Sequence, residues 1–501
     1  MFRSKERYFE KRIHSLKGGN KMKAGFHTVD ITPPVGMEVP GDYVKAYSQS
    51  IHDPLKVRAC VLDDGVQTAA IASIDTCILP HSNKLVTAVR RGVEERCGIP
   101  ESHILVAATH THSGGPLSGF LEEDVADAPE LIRRLALEES PACDPLYLEI
   151  VTRQAVTAIC EAHRKREEAL LAVGKGFEEQ VVFNRRFRMA NGRVYTHPGK
   201  GNPDIVEPAG PVDPEVGVVA AWNRQGELLG CIVNYSCHAT TFSGAISADY
   251  IYYLEEAIQH VMGRQSVVVF LNGACGDVTQ VDNRSMRAPE FGERWSRLVG
   301  TRVGAEALKV MVSAQPGELK PVAVNSLTLR ISRRRPNPNR VEASRELVEQ
   351  GVKSSRRDTA WIFAKELLIA DYLASKEPEV DVEMQAVQVG PVVFIAYPAE
   401  MFCELGLRVK KSSPFPYTFV VELANGSLGY VPPAEAFAPS GGGYETALTS
   451  YSNLDIHAGE KMVQASVDLL RSFTPGLVPQ PPQLDHPQNP WSYGVLGPDL
   501  E

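Results

Sequence analysis

The chain has 501 residues, 43% of them hydrophobic and 23% charged, enough apolar material for one large core. A formal net charge of -9 and an isoelectric point near 5.9 weigh against a nucleic-acid partner, which needs concentrated positive charge. Nine scattered cysteines without a CxxC pair, a basic opening without an apolar signal core, and no run long enough to span a bilayer lead us to expect a cytoplasmic protein with no stable membrane anchor.

In chain order, residues 1–21 read as a loosely ordered extension, and strand-like alternation begins after Met22, itself a candidate start. KVRACVLDD, VQTAAIASID and HILVAATH read as strands of a core sheet. SNKLVTAVRRGVEERCG reads as a helix closed by glycine, and DPLYLEIVTRQAVTAICEAHRKREEA as a longer one opened by Asp-Pro. Strands are then expected at LLAVGKGFEE, EVGVVAAWN, LGCIVNYSCH and QSVVVFLNGACGD, and a half-exposed strand at PVAVNSLTLRISRRR. The basic run ISRRRPNPNR, 331–340, reads as a solvated hairpin tip, 341–376 as strongly helical, DVEMQAVQVGPVVFIAYPAE as a hairpin and YTFVVELANGSLGY as a core strand. From Thr474 the chain is rich in proline and glutamine, a surface tail over 474–501. No internal repeat is visible. The expected organisation is one catalytic domain over 22–473 between these two ends.

The chemistry concentrates where apolar strands stop. ILVAATHTHSGGP ends a strand in His110 and His112, two residues apart and so on one strand face, where the imidazoles share a pocket. Such a pair either binds metal and takes part in catalysis or satisfies hydrogen bonds at a strand end. The construction recurs, with His238 after LGCIVNY, Glu400 after GPVVFIAYPA and Tyr430 past FVVELANGSLG. A buried apolar strand has no use for an ionisable end group unless a partner waits there. Two histidines and a carboxylate make a catalytic zinc set with an open position. There is no GxSxG elbow, GxxxxGK loop, HExxH helix or dinucleotide fingerprint.

Several blocks, in order, resemble the neutral (non-lysosomal) ceramidase family in its catalytic domain, over roughly Ala24 to Phe473: AGFHTVDITPPVG, IASIDTCIL, ATHTHSGGP, SCHATTF with ISADY, FLNGACGDVTQ, YPAEMF, and GYVPPAEAF with GGYET. The resemblance implies a mixed α+β fold, two sheets flanked by helices in an αββα-like arrangement. It implies zinc on His110, His238, Glu400 and Tyr430, with His112 beside the metal as proton carrier. Arg185 would orient the substrate carbonyl, Tyr444 would hydrogen-bond it, and Asp249 would orient a ligand from behind. Thr279 and Gln280 stand where many members have serine and proline, so a serine nucleophile finds no support.

These readings give a zinc-dependent hydrolase of an amide, ceramidase-like, acting on a small-molecule N-acyl or related carbonyl compound. An ester or lactone would pass through the same intermediate, and a non-catalytic small-ligand-binding member of the family is the rival from another class. A metal-dependent phosphoesterase fits less well, because phosphoryl chemistry uses two metals and more carboxylates. The missing secretion signal and C-terminal module point to a soluble substrate rather than long-chain ceramide.

Overall fold

The computed structural model describes residues 21–242, 244–354, 357–481 and 493–501. The expected N-terminal extension therefore lies outside the described residues up to residue 20, as do residues 482–492 of the tail.

Strands β1 (Lys23–Asp30), β2 (Lys56–Asp63), β3 (Thr68–Ile74) and β4 (Ile104–Ala108) form the first sheet in the order β4-β3-β2-β1, with Glu167–Glu168 as a short edge. β5 (Leu170–Phe177), β6 (Glu215–Trp222), β7 (Leu228–Tyr235) and β8 (Val267–Asn272) form the second, in the order β8-β7-β6-β5. β9 (Val322–Ser332), β10 (Glu379–Val389), β11 (Val392–Ala396) and β12 (Tyr417–Val421) form the third, in the order β9-β10-β11-β12.

Each sheet has the same plan. Three strands pair antiparallel, a helix follows the third, and the fourth strand returns parallel to the third. The linking helices are α1 (Lys84–Cys97), α4 (Tyr250–Met262) and α8 (Cys403–Ser412). The repetition is one of topology, and the absence of any echo in residue identity is why it is not visible in the sequence.

Burial accounts for the layering. β2 buries side chains on both faces, so its KVRACVLD run is almost continuously apolar. Leu62, Ile71 and Leu105 of the first sheet meet Val219 and Ile232 of the second and Phe394 and Phe419 of the third in one shared core. Behind the first sheet lie α1 and α3 (Pro145–Arg164). Behind the second lie α4 and α5 (Glu293–Ser313), and behind the third α8 and α9 (Ala458–Leu470). Three sheets, each backed by its own helices, thus share one core in a mixed α+β fold. Helix α1 stops where expected: Gly98 takes φ 70, the left-handed cap that favours glycine, and its N–H bonds Glu94 O. Asp144 caps α3 at Tyr147 N, with proline in the first turn.

A helical lobe sits beside these layers. The stretch read as helical over 341–376 is two helices, α6 (Pro338–Ser354) and α7 (Thr359–Lys376), the second opened by an Asp358 cap on Trp361 N. Trp361 and Leu368 pack with Ile132 and Leu135 of α2 (Glu130–Leu137). Lys365 is fully buried and donates to Tyr43 O (2.7 Å), Glu139 O (3.1 Å) and Ser140 Oγ (2.7 Å), pinning the lobe to two loops of the body. The basic run at 331–340 is not a solvated hairpin tip. Arg334 donates to Thr446 O (3.1 Å) and Ser452 O (2.7 Å), and Arg333 donates to the Asn453 side-chain oxygen, so the loop over 446–453 takes up both guanidinium groups. Among the described residues no helix is long and apolar enough to cross a membrane.

Candidate metal centre and substrate pocket

The first histidine pair arises differently from the expected strand alternation. β4 ends at Ala108, and His110 takes a left-handed φ of 67. That backbone costs on the order of 1 kcal/mol or more for a non-glycine residue. The chain is held there by Thr109 N donating to Ile74 O (2.9 Å) and His112 N to Ala239 O (3.0 Å), with Thr111 bridging Ala239. The bridge lays the His110–His112 segment beside His238. The ring centroids of His110 lie 4.8 Å from His112 and 4.4 Å from His238. Glu400 arrives from the third sheet, in a short parallel pair that sets it directly opposite Tyr430.

All three imidazoles are oriented by the main chain. His110 Nδ1 donates to Cys77 O (2.7 Å), His112 Nδ1 to Gly41 O (2.6 Å) and His238 Nδ1 to Cys275 O (2.8 Å). A carbonyl only accepts, so each Nδ1 carries the proton and each Nε2 is left with a lone pair. The Nε2 atoms of all three, and Oε2 of Glu400, are buried and have no hydrogen-bond partner. His110 Nε2 and His238 Nε2 each lie 3.4 Å from Glu400 Oε2, and the three ligand atoms lie within 4.8 Å of one another. A buried, unmet group of this kind costs about 1–3 kcal/mol, and a divalent cation satisfies all three at once. The donor set fits zinc: two imidazoles and a carboxylate, each deprotonated at the facing atom.

The Cys275 carbonyl that aims His238 is itself fixed. Glu422, fully buried, accepts from Cys275 N (2.9 Å) and Cys275 Sγ (2.8 Å). Burial pushes its carboxyl up to about 8, against the pull of His110. Burial also acts on Glu400, yet His110 and His238 hold it well below the usual carboxylate range. For His110, burial opposes charge but Glu400 carries it well above the ordinary histidine value, whereas burial, Arg185 and His110 push His238 well below it.

The structure gathers His110, His112, His238, Glu400, Arg185, Tyr430 and Tyr444 in this region. Arg185 is buried and held by Glu445 Oε1 (2.8 Å), Gly276 O (2.8 Å) and the Tyr430 hydroxyl (3.2 Å). Tyr444 and Tyr430 place their hydroxyls 3.4 Å apart, and the Arg185 guanidinium lies 5.2 and 5.6 Å from their ring centres. Asp249 does not contact a ligand side chain. It accepts from Thr241 N (2.8 Å), Thr241 Oγ1 (2.6 Å) and Phe242 N (2.9 Å), which ties down the loop after His238 at the start of α4. The buried Thr279 hydroxyl donates to Gln280 Oε1 (2.9 Å).

A cavity of about 200 Å³ opens on His110, His112, Glu400, Tyr430 and Tyr444. Its other walls were not picked out from the sequence. Tyr43 stacks on Tyr451 (4.9 Å), His81 stacks on Phe120 (4.4 Å), and Glu366 arrives from α7 beside Ser450, which donates to it. These residues come from loops and from the lobe, where no periodicity marks them; the motif IASIDTCIL does contain Cys77, but as one apolar-looking position among many. An outer space of about 700 Å³ adjoins through His81, Phe120 and Ser450 and is lined by Lys84, Glu123, Asp124, Lys376, Glu377 and Asp381.

No family model matches the chain. A curated neutral ceramidase of Pseudomonas aeruginosa is 26% identical over 223 residues, 43% of this chain and 30% of the relative, so the match spans under a third of that protein. The crystal structure of neutral ceramidase from Pseudomonas aeruginosa superposes with a TM-score of 0.65 at 18% identity, covering 92% of this chain and 77% of that one. A ceramidase complexed with C2 superposes with a TM-score of 0.66 at 18% identity and the same coverage, 92% and 77%. The fold is shared over nearly the whole chain.

Proposed function

We propose that this chain, as a member of the neutral ceramidase family, is a zinc-dependent hydrolase of an amide bond. The observation that carries the reading is the meeting of His110 Nε2, His238 Nε2 and Glu400 Oε2, all buried and unpartnered, within 4.8 Å of one another. Tyr430, opposite Glu400 in the short parallel pair, is the neighbouring oxygen that completes the set. Zinc held there supplies Lewis acidity, polarising a carbonyl and making water acidic enough to attack near neutral pH.

The protein's own groups do the rest. His112 is locked by Gly41 O at Nδ1 and presents Nε2 to the cavity, so it takes the proton that the attacking water gives up and returns it to the leaving nitrogen. Tyr444 donates its hydroxyl to the carbonyl oxygen as negative charge develops there. Arg185 acts through the tyrosines: its Nε and Nη2 are bonded to the protein, and its charge lies against both rings. The aromatic walls exclude bulk water, which strengthens each of these interactions.

The substrate we propose is a small, water-soluble N-acyl compound. The inner cavity of about 200 Å³ is smaller than common drug-sized sites, and charged side chains line the approach to it. Metal analysis of purified protein, paired with kcat/KM for a short-chain soluble amide and for long-chain ceramide in detergent micelles, tests both parts. Activity that survives stripping of the metal sinks the mechanism; a clear preference for the long-chain lipid sinks the substrate class.

A further inference from the structure

Cys77 faces the same cavity and has no part in the chemistry above. It lies three residues past the end of β3, with its carbonyl fixed by the His110 ring, so its side chain has little freedom to leave the pocket. Its thiol, His110 Nε2 and His112 Nε2 lie within 4.8 Å of one another. Both of those imidazole nitrogens are buried and unpartnered, and Cys77 itself is only 7% exposed. His110 Nε2 therefore belongs to two overlapping ligand groups, one with His238 and Glu400 and one with Cys77 and His112. With a cation on the first group, Cys77 Sγ and His112 Nε2 remain as a second pair of donors on its other flank.

We propose that Cys77 and His112 form a second, inhibitory cation site beside the catalytic one, selective for borderline and soft divalent ions such as a second zinc. Thiolate and imidazole are the donors such ions prefer, and carboxylate-seeking magnesium or calcium gains nothing from them. Binding forms an Sγ–metal bond and a Nε2–metal bond and releases the thiol proton to solvent. Two protein donors hold an ion less firmly than three, so the site fills only when the ion exceeds one equivalent per chain. Occupancy takes the Nε2 lone pair of His112, the atom assigned above to proton transfer. The inhibition thus rests on the proposed role of His112, whereas the binding does not.

Cobalt(II) is the probe, because a thiolate ligand adds a near-ultraviolet charge-transfer band that imidazole and carboxylate do not. Metal-stripped full-length protein is titrated with one and then two equivalents, with absorption and amide turnover followed together. The first equivalent should give visible d–d absorption with no thiolate band and full turnover. The second should raise the thiolate band and lower turnover by roughly 10²-fold, the loss of a positioned proton carrier. Cys77→Ser, or Cys77→Ala if the serine variant folds poorly, should keep turnover at one equivalent and lose both the band and the inhibition. Two bound equivalents without a thiolate band, or a Cys77 variant inhibited like the parent, would overturn the inference while leaving the catalytic reading intact. A thiolate band at the first equivalent, or no uptake at all, would overturn both.

Discussion

The histidines of the pocket hand their Nδ1 protons to main-chain carbonyls, whereas the tyrosines of the opposite wall hold one another. His110, His112 and His238 are each anchored to backbone within 2.6–2.8 Å. Tyr43, Tyr430, Tyr444 and Tyr451 meet instead through ring contacts with centroids 4.9 to 6.2 Å apart, and the Tyr451 hydroxyl has no partner. Backbone anchoring fixes a donor atom to tenths of an ångström, as metal binding requires. Ring packing has shallower minima and tolerates small shifts, which suits a wall that must close on a substrate. The metal half should therefore break sharply under mutation, and the aromatic half should yield by degrees.

The largest effect expected is on the metal half. His238→Ala removes a ligand and leaves Glu400 buried with one imidazole, so stoichiometric zinc should be lost on dialysis and turnover should fall about 10³-fold or more. Zinc retained at one equivalent would show that the ligand set is wrong. His112→Ala should instead keep its zinc and lose roughly 10²–10⁴-fold in turnover, as for a missing acid–base group. Metal content and kcat measured on the same sample separate the two variants.

On the aromatic wall, Tyr444→Phe should lower kcat by about 10²-fold, the loss of one donor to the developing oxyanion. A loss as deep as that of His112→Ala would mean that the wall is as exacting as the metal half. The last effect concerns stability, not turnover, and belongs to His81, whose pKa burial and Arg333 push down from 6.5 to about 4. The unfolded chain takes up a proton near pH 6.5 that the folded one refuses until about pH 4, so this residue's share of stability is lost as pH falls through that window. His81→Gln should flatten the acid limb of stability against pH, by about 3 kcal/mol at most. An unchanged acid limb in denaturant titrations at pH 6.5 and 4 would remove His81 from the account.

The proposed ligands stand out in the sequence because each breaks a local rule. His110, His238 and Glu400 are ionisable groups at the ends of apolar strands, an arrangement that burial makes costly without a partner. The strands themselves follow from alternation and from the uniformly apolar runs of doubly covered sheets. The left-handed turn at His110 was not legible, because it is imposed by the bridge from Thr111 to Ala239, residues far apart in the chain. Arg333 and Arg334 looked solvated because a charge run usually is, and only the fold supplies the carbonyls of the 446–453 loop. Cys77, Tyr43 and Glu366 carried no signal either: a single cysteine, a loop tyrosine and a helix glutamate are ordinary until their neighbours are known.

The proposed ligands come one from each sheet: His110 past β4, His238 past β7 and Glu400 past β11. No fragment that lacks one of the three sheets can own the site, so cation affinity becomes a property of complete assembly. An ion that binds only the assembled state draws the folding equilibrium toward it by mass action, adding about 4 kcal/mol when free ion stands 1,000-fold above its Kd. The melting temperature should accordingly climb with the logarithm of free zinc, making thermal stability itself a readout of how well the three sheets are joined.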